Sequence, residues 1–365
     1  MYINSLRTAF FRNLADAEIF TGAKDVFLVG ENGQGKTNFI EALYFCAYAS
    51  SFREIKDSEI ARNGEKSFSS EVRTTKTSNK EILVKVEKGK KSVIIDGKKI
   101  EDRKDLLSVI PCVIFCHEDM EFISGSPERR RWFFDQVLSL YDPVYLDDLR
   151  CYRHVLKSRN KLLRDFSQNK FSDNPGPLLD ALDPQLVMYG IKLMEKRETA
   201  VNLFSEIFGS LYEKVAGISG IKVQYASSWK KTNKEQIIAF LGQRRTAEIS
   251  VGISMSGPHR DKYEFAHNET EFTGKASTGQ RRLLALLLRV AQAFRFTEVT
   301  GKNPVILLDD VLLEMDGEKR RKFISVLPGY DQAFYTFLPE EPYWQYCKED
   351  TLVYNVNAGQ LSKKE

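Results

Sequence analysis

The segment Gly30-Glu31-Asn32-Gly33-Gln34-Gly35-Lys36-Thr37 carries the most explicit chemistry in the chain. It matches G-x-x-x-x-G-K-[ST], the phosphate-binding P-loop, at every fixed position. Glycines let such a loop wrap so that successive backbone N–H groups face phosphate oxygens. Lys36 would neutralise the β- and γ-phosphates of a nucleoside triphosphate, and the Thr37 hydroxyl would ligate Mg²⁺. A plain Gly-rich turn at a helix start is the alternative. The context favours the P-loop, because the apolar run Val26-Phe27-Leu28-Val29 precedes it and a helical pattern follows from Lys36 to about Tyr48.

A matching acid lies far along the chain. Val305-Ile306-Leu307-Leu308 is apolar throughout and ends in Asp309-Asp310. A strand buried on both faces belongs in the middle of a sheet. An Asp at its end is the Walker B arrangement, in which Asp309 would hold Mg²⁺ through water opposite the P-loop. Asp310 is placed to polarise an attacking water. Alone these residues are weak evidence; joined to a complete P-loop they are strong. A third element, Ser277-Thr278-Gly279-Gln280-Arg281, opens the apolar run Leu283-Leu284-Ala285-Leu286-Leu287-Leu288. Ser277 is a natural N-cap, and a helix N-terminus carrying Ser and Gly attracts anions.

Other reactive residue types do not converge. Cys46, Cys112, Cys116, Cys151 and Cys347 are scattered, and no His or Cys follows Cys112/Cys116 at metal-ligand spacing, so core thiols are expected. His117 and His154 have no evident partners, and His259 has no role assignable from its neighbours.

These residues need elements to hold them. Residues 1–125 read as a mixed α/β unit. Its alternating segments at 67–75, 81–87 and 92–95 end in the hairpin signal Asp96-Gly97. From Pro127 the period becomes helical, with Tyr145, Leu149, Tyr152 and Leu156 on one face and basic residues between them. A second long helix is expected from about Pro184, in its first turn, to Phe208. Strand-like texture returns over 220–265, and the last residues, from Ser362, are expected to fray. The 365 residues hold 42% apolar and 28% charged side chains, with 54 Lys and Arg against 50 Asp and Glu. That composition is globular, and a net charge of +4 leaves any nucleic-acid binding to local patches. Without a signal-like N-terminus or a membrane-length apolar run, a soluble cytoplasmic protein is expected.

On these motifs the chain resembles the RecF family, within the ABC/SMC group of DNA-repair ATPases. Further carriers are Phe11-Arg12-Asn13, Glu118-Asp119, Gly125-Ser126-Pro127, Arg129-Arg130-Arg131, Ser256-Gly257-Pro258-His259-Arg260-Asp261 and Glu314-Met315-Asp316. The resemblance implies an α/β, ABC-type P-loop ATPase head: a mixed β-sheet with an antiparallel β subdomain, an inserted mainly helical lobe and no long coiled-coil arm. Lobe I would comprise 1–125 and 296–365, with P-loop, Walker B and D-loop. Lobe II, 126–295, would carry the signature Ser277–Arg281.

It also implies ATP and Mg²⁺, bound in an ATP-dependent homodimer. Arg12, Gly30, Glu31, Asn32, Gly33, Gln34, Gly35, Lys36 and Thr37 of one subunit would bind the nucleotide. Ser277, Gly279, Gln280 and Asp316 would close over it from the other. Lys36, Asp310 and, in trans, Ser277 would act in a weak, DNA-stimulated hydrolysis. The implied function is recombination mediation: clamping duplex DNA near single-strand gaps and helping load RecA with RecR and RecO, in association with the nucleoid. Arg129, Arg130, Arg131, Arg153, Lys157 and Arg164 are candidate phosphate contacts. Lys262, Leu312 and Leu313 depart from the family pattern, and no switch histidine follows Phe337. Competing readings are a fast NTPase driving a transporter or helicase, and a structural SMC-like protein, which would need longer arms.

Overall fold

The computed structural model describes residues 2–53, 55–75, 79–168, 176–230, 233–312, 315 and 317–364. The chain forms two compact units, Met1–Asp119 with Leu288–Glu365, and Met120–Leu287. The expected lobe limits, at 125/126 and 295/296, lie a few residues further along.

The first unit opens with β1 (Tyr2–Ala9), β2 (Glu18–Phe20) and β3 (Asp25–Val29), the last buried along its whole length. Helix α1 (Lys36–Tyr48) follows the P-loop. An antiparallel meander comes next: β4 (Ser67–Thr75), β5 (Lys80–Glu87), β6 (Lys90–Ile95) and β7 (Lys98–Ile100). Lys88-Gly89 and Asp96-Gly97 both take positive φ at consecutive residues, the backbone of tight two-residue hairpins. Helix α2 (Arg103–Val109) leads to the buried strand β8 (Cys112–Phe115).

The second unit contains α3 (Met120–Ser124), α4 (Pro127–Tyr141), α5 (Pro143–Ser167), α6 (Gly176–Ala216), β9 (Ile221–Ala226), α7 (Lys234–Val251), β10 (Lys262–His267) and β11 (Thr270–Glu271). Helix α8 (Thr278–Thr300) carries the chain back, and β12 (Val305–Leu308), α9 (Gly317–Ser325), β13 (Gln332–Phe337), β14 (Leu352–Asn357) and β15 (Gln360–Lys363) complete the first unit. No described helix is long and apolar enough to cross a membrane.

Two six-stranded sheets build the first unit. One is antiparallel, in order β2-β1-β4-β5-β6-β7; the other runs β15-β14-β3-β13-β12-β8, parallel except for the β14–β15 hairpin. The apolar side chains of α1 share one core with both sheets, from Val72, Ile82 and Val84 to Val26, Leu307 and Phe334. Gln332 stitches the sheets together. Its amide accepts from Ile3 N (2.7 Å) and donates to the carbonyls of Ile3, Thr21 and Ala23, so a buried polar group is satisfied on both sides. The chain leaves this unit at Asp119 and re-enters at Leu288. There the buried Asp119 carboxylate accepts from Arg289 (2.8 Å) and from the Cys116 amide (3.0 Å).

Helix α6 starts at Gly176, and Pro184 lies inside it rather than in its first turn. Proline deprives that turn of one N–H. Tertiary ion pairs flank the gap: Asp183 accepts from Arg159 (2.7 Å), and Arg245 bonds both Asp180 and Asp183. Buried residues recur from Leu179 to Val215, so the helix is embedded in its unit along its length. The C-terminus also differs from expectation. Ser362 and Lys363 pair with β14, and Lys364 N donates to Val353 O (2.8 Å). The turn at Ala358-Gly359, both at positive φ, supplies the hairpin that a charged tail disguised.

The second unit is organised around Arg197, which is buried. Its guanidinium donates to Asp135 (2.6 Å), Asp261 (2.9 Å), the Pro258 carbonyl (2.8 Å) and the Tyr145 hydroxyl (3.0 Å). Removing one partner of such a set leaves an uncompensated buried charge, at a cost of about 3–5 kcal/mol. Arg197→Ala should therefore lower the denaturant-unfolding free energy of its unit by about that amount. Arg153→Ala, which removes a mostly exposed partner of the same Asp135, should cost under about 1 kcal/mol. Equal losses in the two variants would contradict this account.

Candidate nucleotide site

β3 ends at Val29, and the P-loop lies between it and α1. The Gly30 amide donates to Phe337 O (3.1 Å), and Gly35 caps α1 at φ +115°. Gly33 has φ +78°, and no described atom lies within 4 Å of where its Cβ would stand, so the loop is an open cradle. Lys36 is buried, and its ammonium donates to the carbonyls of Gly30 (2.6 Å) and Glu31 (3.1 Å). The Thr37 hydroxyl donates to Asp309 Oδ1 (2.9 Å), joining loop and Walker B strand.

Asp309 extends β12, its amide donating to Phe115 O (2.9 Å). Burial, then the neighbouring Asp310, pushes its carboxyl up to about 7. Asp310 has φ +52° and is clamped by Thr336, whose hydroxyl accepts from the Asp310 amide (2.7 Å) and donates to its carboxylate (2.8 Å). These residues fit a magnesium–nucleotide: hard oxygen donors from Thr37 and Asp309 for the cation, and an open loop with Lys36 for the phosphates. A bound cation would supply charge neutralisation to the phosphate oxygens. Thr37 and Asp309 would hold it, and Lys36 would exchange loop carbonyls for phosphate.

The β14–β15 hairpin brackets the loop. Gly359 N donates to Gln34 O (2.8 Å), and Ala358 N donates to the Gln34 side chain (2.7 Å). A Cβ on Gly30 would strike the Val356 carbonyl, one on Gly35 would press on Asn13 and Gly359, and one on Gly359 would strike the Asn13 carbonyl. Asn13 in turn accepts from Asn38 (2.7 Å). The motif glycines are thus required by packing as well as by phosphate geometry.

Arg12 is bidentate with Glu41 (3.0 and 3.2 Å) and donates to the Glu59 carbonyl (2.7 Å). The buried Glu41 carboxylate also accepts from Ser51 (2.5 Å) and lies 3.6 Å from Arg53. Every donor nitrogen of Arg12 therefore has a partner within this unit. Sequence reasoning missed Glu41, Thr336 and the hairpin. A lone acid inside Phe39-Ile40-Glu41-Ala42-Leu43 was a signal for the first, and Asn357-Ala358-Gly359 for the last. Nothing local marks Thr336.

In the other unit Ser277 and Gln280 cap α8 reciprocally. The Ser277 hydroxyl accepts from Gln280 N (3.2 Å), and the Gln280 side chain accepts from Ser277 N (2.8 Å). Ser277, Thr278 and Gly279 are exposed. Asp316 and Glu314 lie outside the described residues. Of the candidate DNA contacts, Arg153, Lys157 and Arg164 are exposed along α5, with Lys161 between them. Arg130 and Arg131 are half-buried and bonded to the carbonyls of Ile123 and Asp261, and Arg129 is half-buried beside them.

The Ser256–Asp261 motif belongs to the packing of this unit. Asp261 takes Arg197, the Tyr225 hydroxyl and Ser228 N. A Cβ on Gly257, at φ +127°, would stand 2.6 Å from the Tyr152 hydroxyl. His259 Nε2 donates to Ser254 O (3.1 Å), since a carbonyl can only accept, and Nδ1 accepts from Tyr152 (2.7 Å). Burial pushes the imidazole down to about 4, so it is neutral at physiological pH.

The RecF/RecN/SMC N-terminal domain family model matches residues 2–341. The DNA replication and repair protein RecF of Treponema pallidum is 44% identical over 353 residues, covering 96% of this chain and 97% of that protein. The chain belongs to the RecF family. RecF of Streptococcus equi is 32% identical across all of this chain and 98% of its own. The recombination mediator protein RecF solved with ATP in the RecFOR pathway superposes with a TM-score of 0.90 at 26% identity, covering all of this chain and 98% of that one. An Smc head from Pyrococcus furiosus shares the fold alone, with a TM-score of 0.55 at 14% identity. The architecture of this RecF-family chain is therefore an ABC/SMC-type ATPase head, as expected, without an extended coiled coil among the described residues.

Two outcomes follow for this RecF-family site. Because the folded Asp309 carboxyl titrates near 7, above its unfolded value, its ionisation weakens the native state progressively as pH rises toward 7. In metal- and nucleotide-free buffer, Asp309→Asn should raise the melting temperature by several degrees more at pH 8 than at pH 5. A pH-independent shift would refute this. Gly359→Ala forces the hairpin off Asn13 and should weaken ATP binding roughly ten- to a hundredfold. Calorimetric titration alongside a melting curve checks that the fold survives; unchanged affinity would remove the hairpin from the site.

Proposed function

We propose that this chain is an ATP-dependent, DNA-binding recombination mediator. One observation carries the reading: the Thr37–Asp309 pair joins a complete P-loop to a Walker B carboxylate, while Ser277–Gly279 stand exposed on a capped helix N-terminus. No described atom lies within 4 Å of a Cβ built on Gly279, so nothing in the described chain demands glycine there. A partner subunit approaching the helix end would. Two copies would pair head to tail, with Lys36 and Thr37 of one and Ser277, Gly279 and Gln280 of the other enclosing one nucleotide, and Asp316 alongside.

In this scheme Lys36 holds the phosphates, Thr37 and Asp309 hold Mg²⁺, and Asp310, oriented by Thr336, polarises the water for a weak, DNA-stimulated hydrolysis. Arg12 would have to exchange Glu41 for the nucleotide to act as its contact. The solved RecF with ATP supports the nucleotide assignment, and its RecFOR pathway supports work alongside RecR and RecO; in this scheme that work is loading RecA near single-strand gaps. Duplex DNA would lie along the exposed α5 ridge of Arg153, Lys157 and Arg164. Arg129, Arg130 and Arg131 would contribute less, because all three are half-buried and Arg130 and Arg131 already donate to the carbonyls of Ile123 and Asp261. A cytoplasmic site of action at the nucleoid follows from that substrate.

The scheme predicts that a non-hydrolysable ATP analogue stabilises a dimer and tightens duplex binding by at least about tenfold, a population shift driven by differential contacts. Lys36→Ala and Ser277→Arg should each abolish both effects while remaining folded monomers. Light scattering and fluorescence anisotropy with no nucleotide, ATP or analogue measure this. Duplex affinity indifferent to nucleotide would sink the scheme. Fast, DNA-independent turnover would favour an NTPase motor instead.

A further inference from the structure

We infer that the outer face of the antiparallel sheet in the first unit is a docking trough for the backbone of duplex DNA, separate from the α5 ridge. The face is concave, with a volume of about 950 Å³, and is lined by Lys66, Lys85, Lys88, Lys90, Lys91 and Lys99. Glu65 and Glu87 stand in the lining and Asp57 neutralises Lys91, so the lysines outnumber the acids that face them by three. The basicity that bulk composition conceals is concentrated here.

The sheet register explains the shape. Lys85, on interior strand β5, stands between Ser69 of β4 and Ser92 of β6, and Ser67 faces Glu87 one row further on. Short hydroxyl side chains make a low floor, and the lysines rise around it from the Lys88-Gly89 turn, from β6 and from β7. Lys91 is structural: it donates to Ala49 O (2.5 Å) and pairs with Asp57 (2.8 Å). Lys85 shares Glu87 at 3.3 Å. Lys66, Lys88, Lys90 and Lys99 are exposed and make no ion pair among the described residues.

Lysines on an edge strand commonly block aggregation, and β7 is an edge. That accounts for Lys99 but not for Lys85 on an interior strand or Lys66 ahead of β4. The chemistry of the lining selects the ligand. No aromatic ring is present to stack an unpaired base, and Ile94 is the lone large aliphatic side chain, too little to anchor a protein. No arginine offers bidentate base readout. Flexible point charges above a hydroxyl floor fit phosphodiester oxygens, without regard to sequence. The inference shares its ligand with the proposed function but requires neither nucleotide nor dimer.

The test uses the full chain and a labelled 30-base-pair duplex, read by anisotropy across a salt series. Lys66→Gln, Lys85→Gln, Lys88→Gln and Lys90→Gln together remove four charges and leave polar, flexible side chains in their place. The log–log salt slope should become shallower by about 0.9 for each phosphate that is no longer neutralised, with affinity at 0.1 M salt falling roughly 10- to 100-fold. ATP binding should be unchanged, and arginine at the same four positions should restore duplex affinity. Acetylation footprinting of the wild type needs no variant to fold: duplex should protect Lys66, Lys88 and Lys90. Wild-type affinity and slope in the glutamine variant, or lysines left unprotected, would overturn the trough alone. A loss confined to oligo-dT or inorganic polyphosphate would also overturn it. A wild type that binds no duplex at any salt without nucleotide would overturn the trough alone, and one that binds none with the non-hydrolysable ATP analogue either would overturn the DNA-binding reading as well.

Discussion

A hydrogen bond of 2.9 Å, from the Thr37 hydroxyl to the Asp309 carboxylate, joins residues 272 apart in sequence. For that bond to exist, β3 and β12 must end at the same edge of one sheet with β13 between them. The parallel register meets this condition, since Leu28 is opposite Thr336 and Leu308 opposite Tyr335. Ligand sites of open α/β sheets lie at the carboxyl ends of such strands. The intervening chain leaves at Asp119 and returns by Arg289, and those two residues are ion-paired where it crosses. The same ladder delivers Thr336 to Asp310 and the β14–β15 hairpin to the P-loop.

The second unit relies on buried charge where the first relies on sheet packing. Arg197 and Arg159 are both buried and both multiply paired, one with Asp135 and Asp261, the other with Asp183 and Glu248. Such sets are weak evidence of stability, but each leaves a strong requirement on its members. That is why Gly257-Pro258-His259-Arg260-Asp261 stands out as a motif although it lies in neither nucleotide element. Its carbonyl, carboxylate and close backbone approach all serve the packing around Arg197 and Tyr152.

Charge is distributed unevenly for a chain so nearly neutral. The arginines 129–131 that looked most like a nucleic-acid patch are half-buried, two of them bonded to carbonyls, whereas Lys66, Lys88, Lys90 and Lys99, without an ion pair among the described residues, gather around the β4–β7 face. Linear clustering is a poor guide here because helix periodicity turns adjacent residues to different faces. Strands of an antiparallel sheet instead bring residues such as Lys66, Lys85 and Lys99 together across large sequence separations.

Local chemistry made much of this protein legible. The P-loop, the Walker B strand, the α1 span and the meander at 67–95 were readable because each is specified by contiguous residues: glycines that permit the loop, an apolar run ended by acids, alternation with period two. The Ser277 cap was readable for the same reason. Partnerships between distant residues were not. Glu41 as the anchor of Arg12, Thr336 as the clamp on Asp310, Gly359 as the bracket of the P-loop and Pro184 inside a helix all depend on neighbours that no spacing rule links. Sequence alone thus determined which groups could bind phosphate and metal, since that follows from residue type and backbone freedom. Which of those groups are engaged by this chain, which stand exposed, and where its positive charge is concentrated were decided by tertiary structure, because burial and ion pairing are properties of packed surfaces.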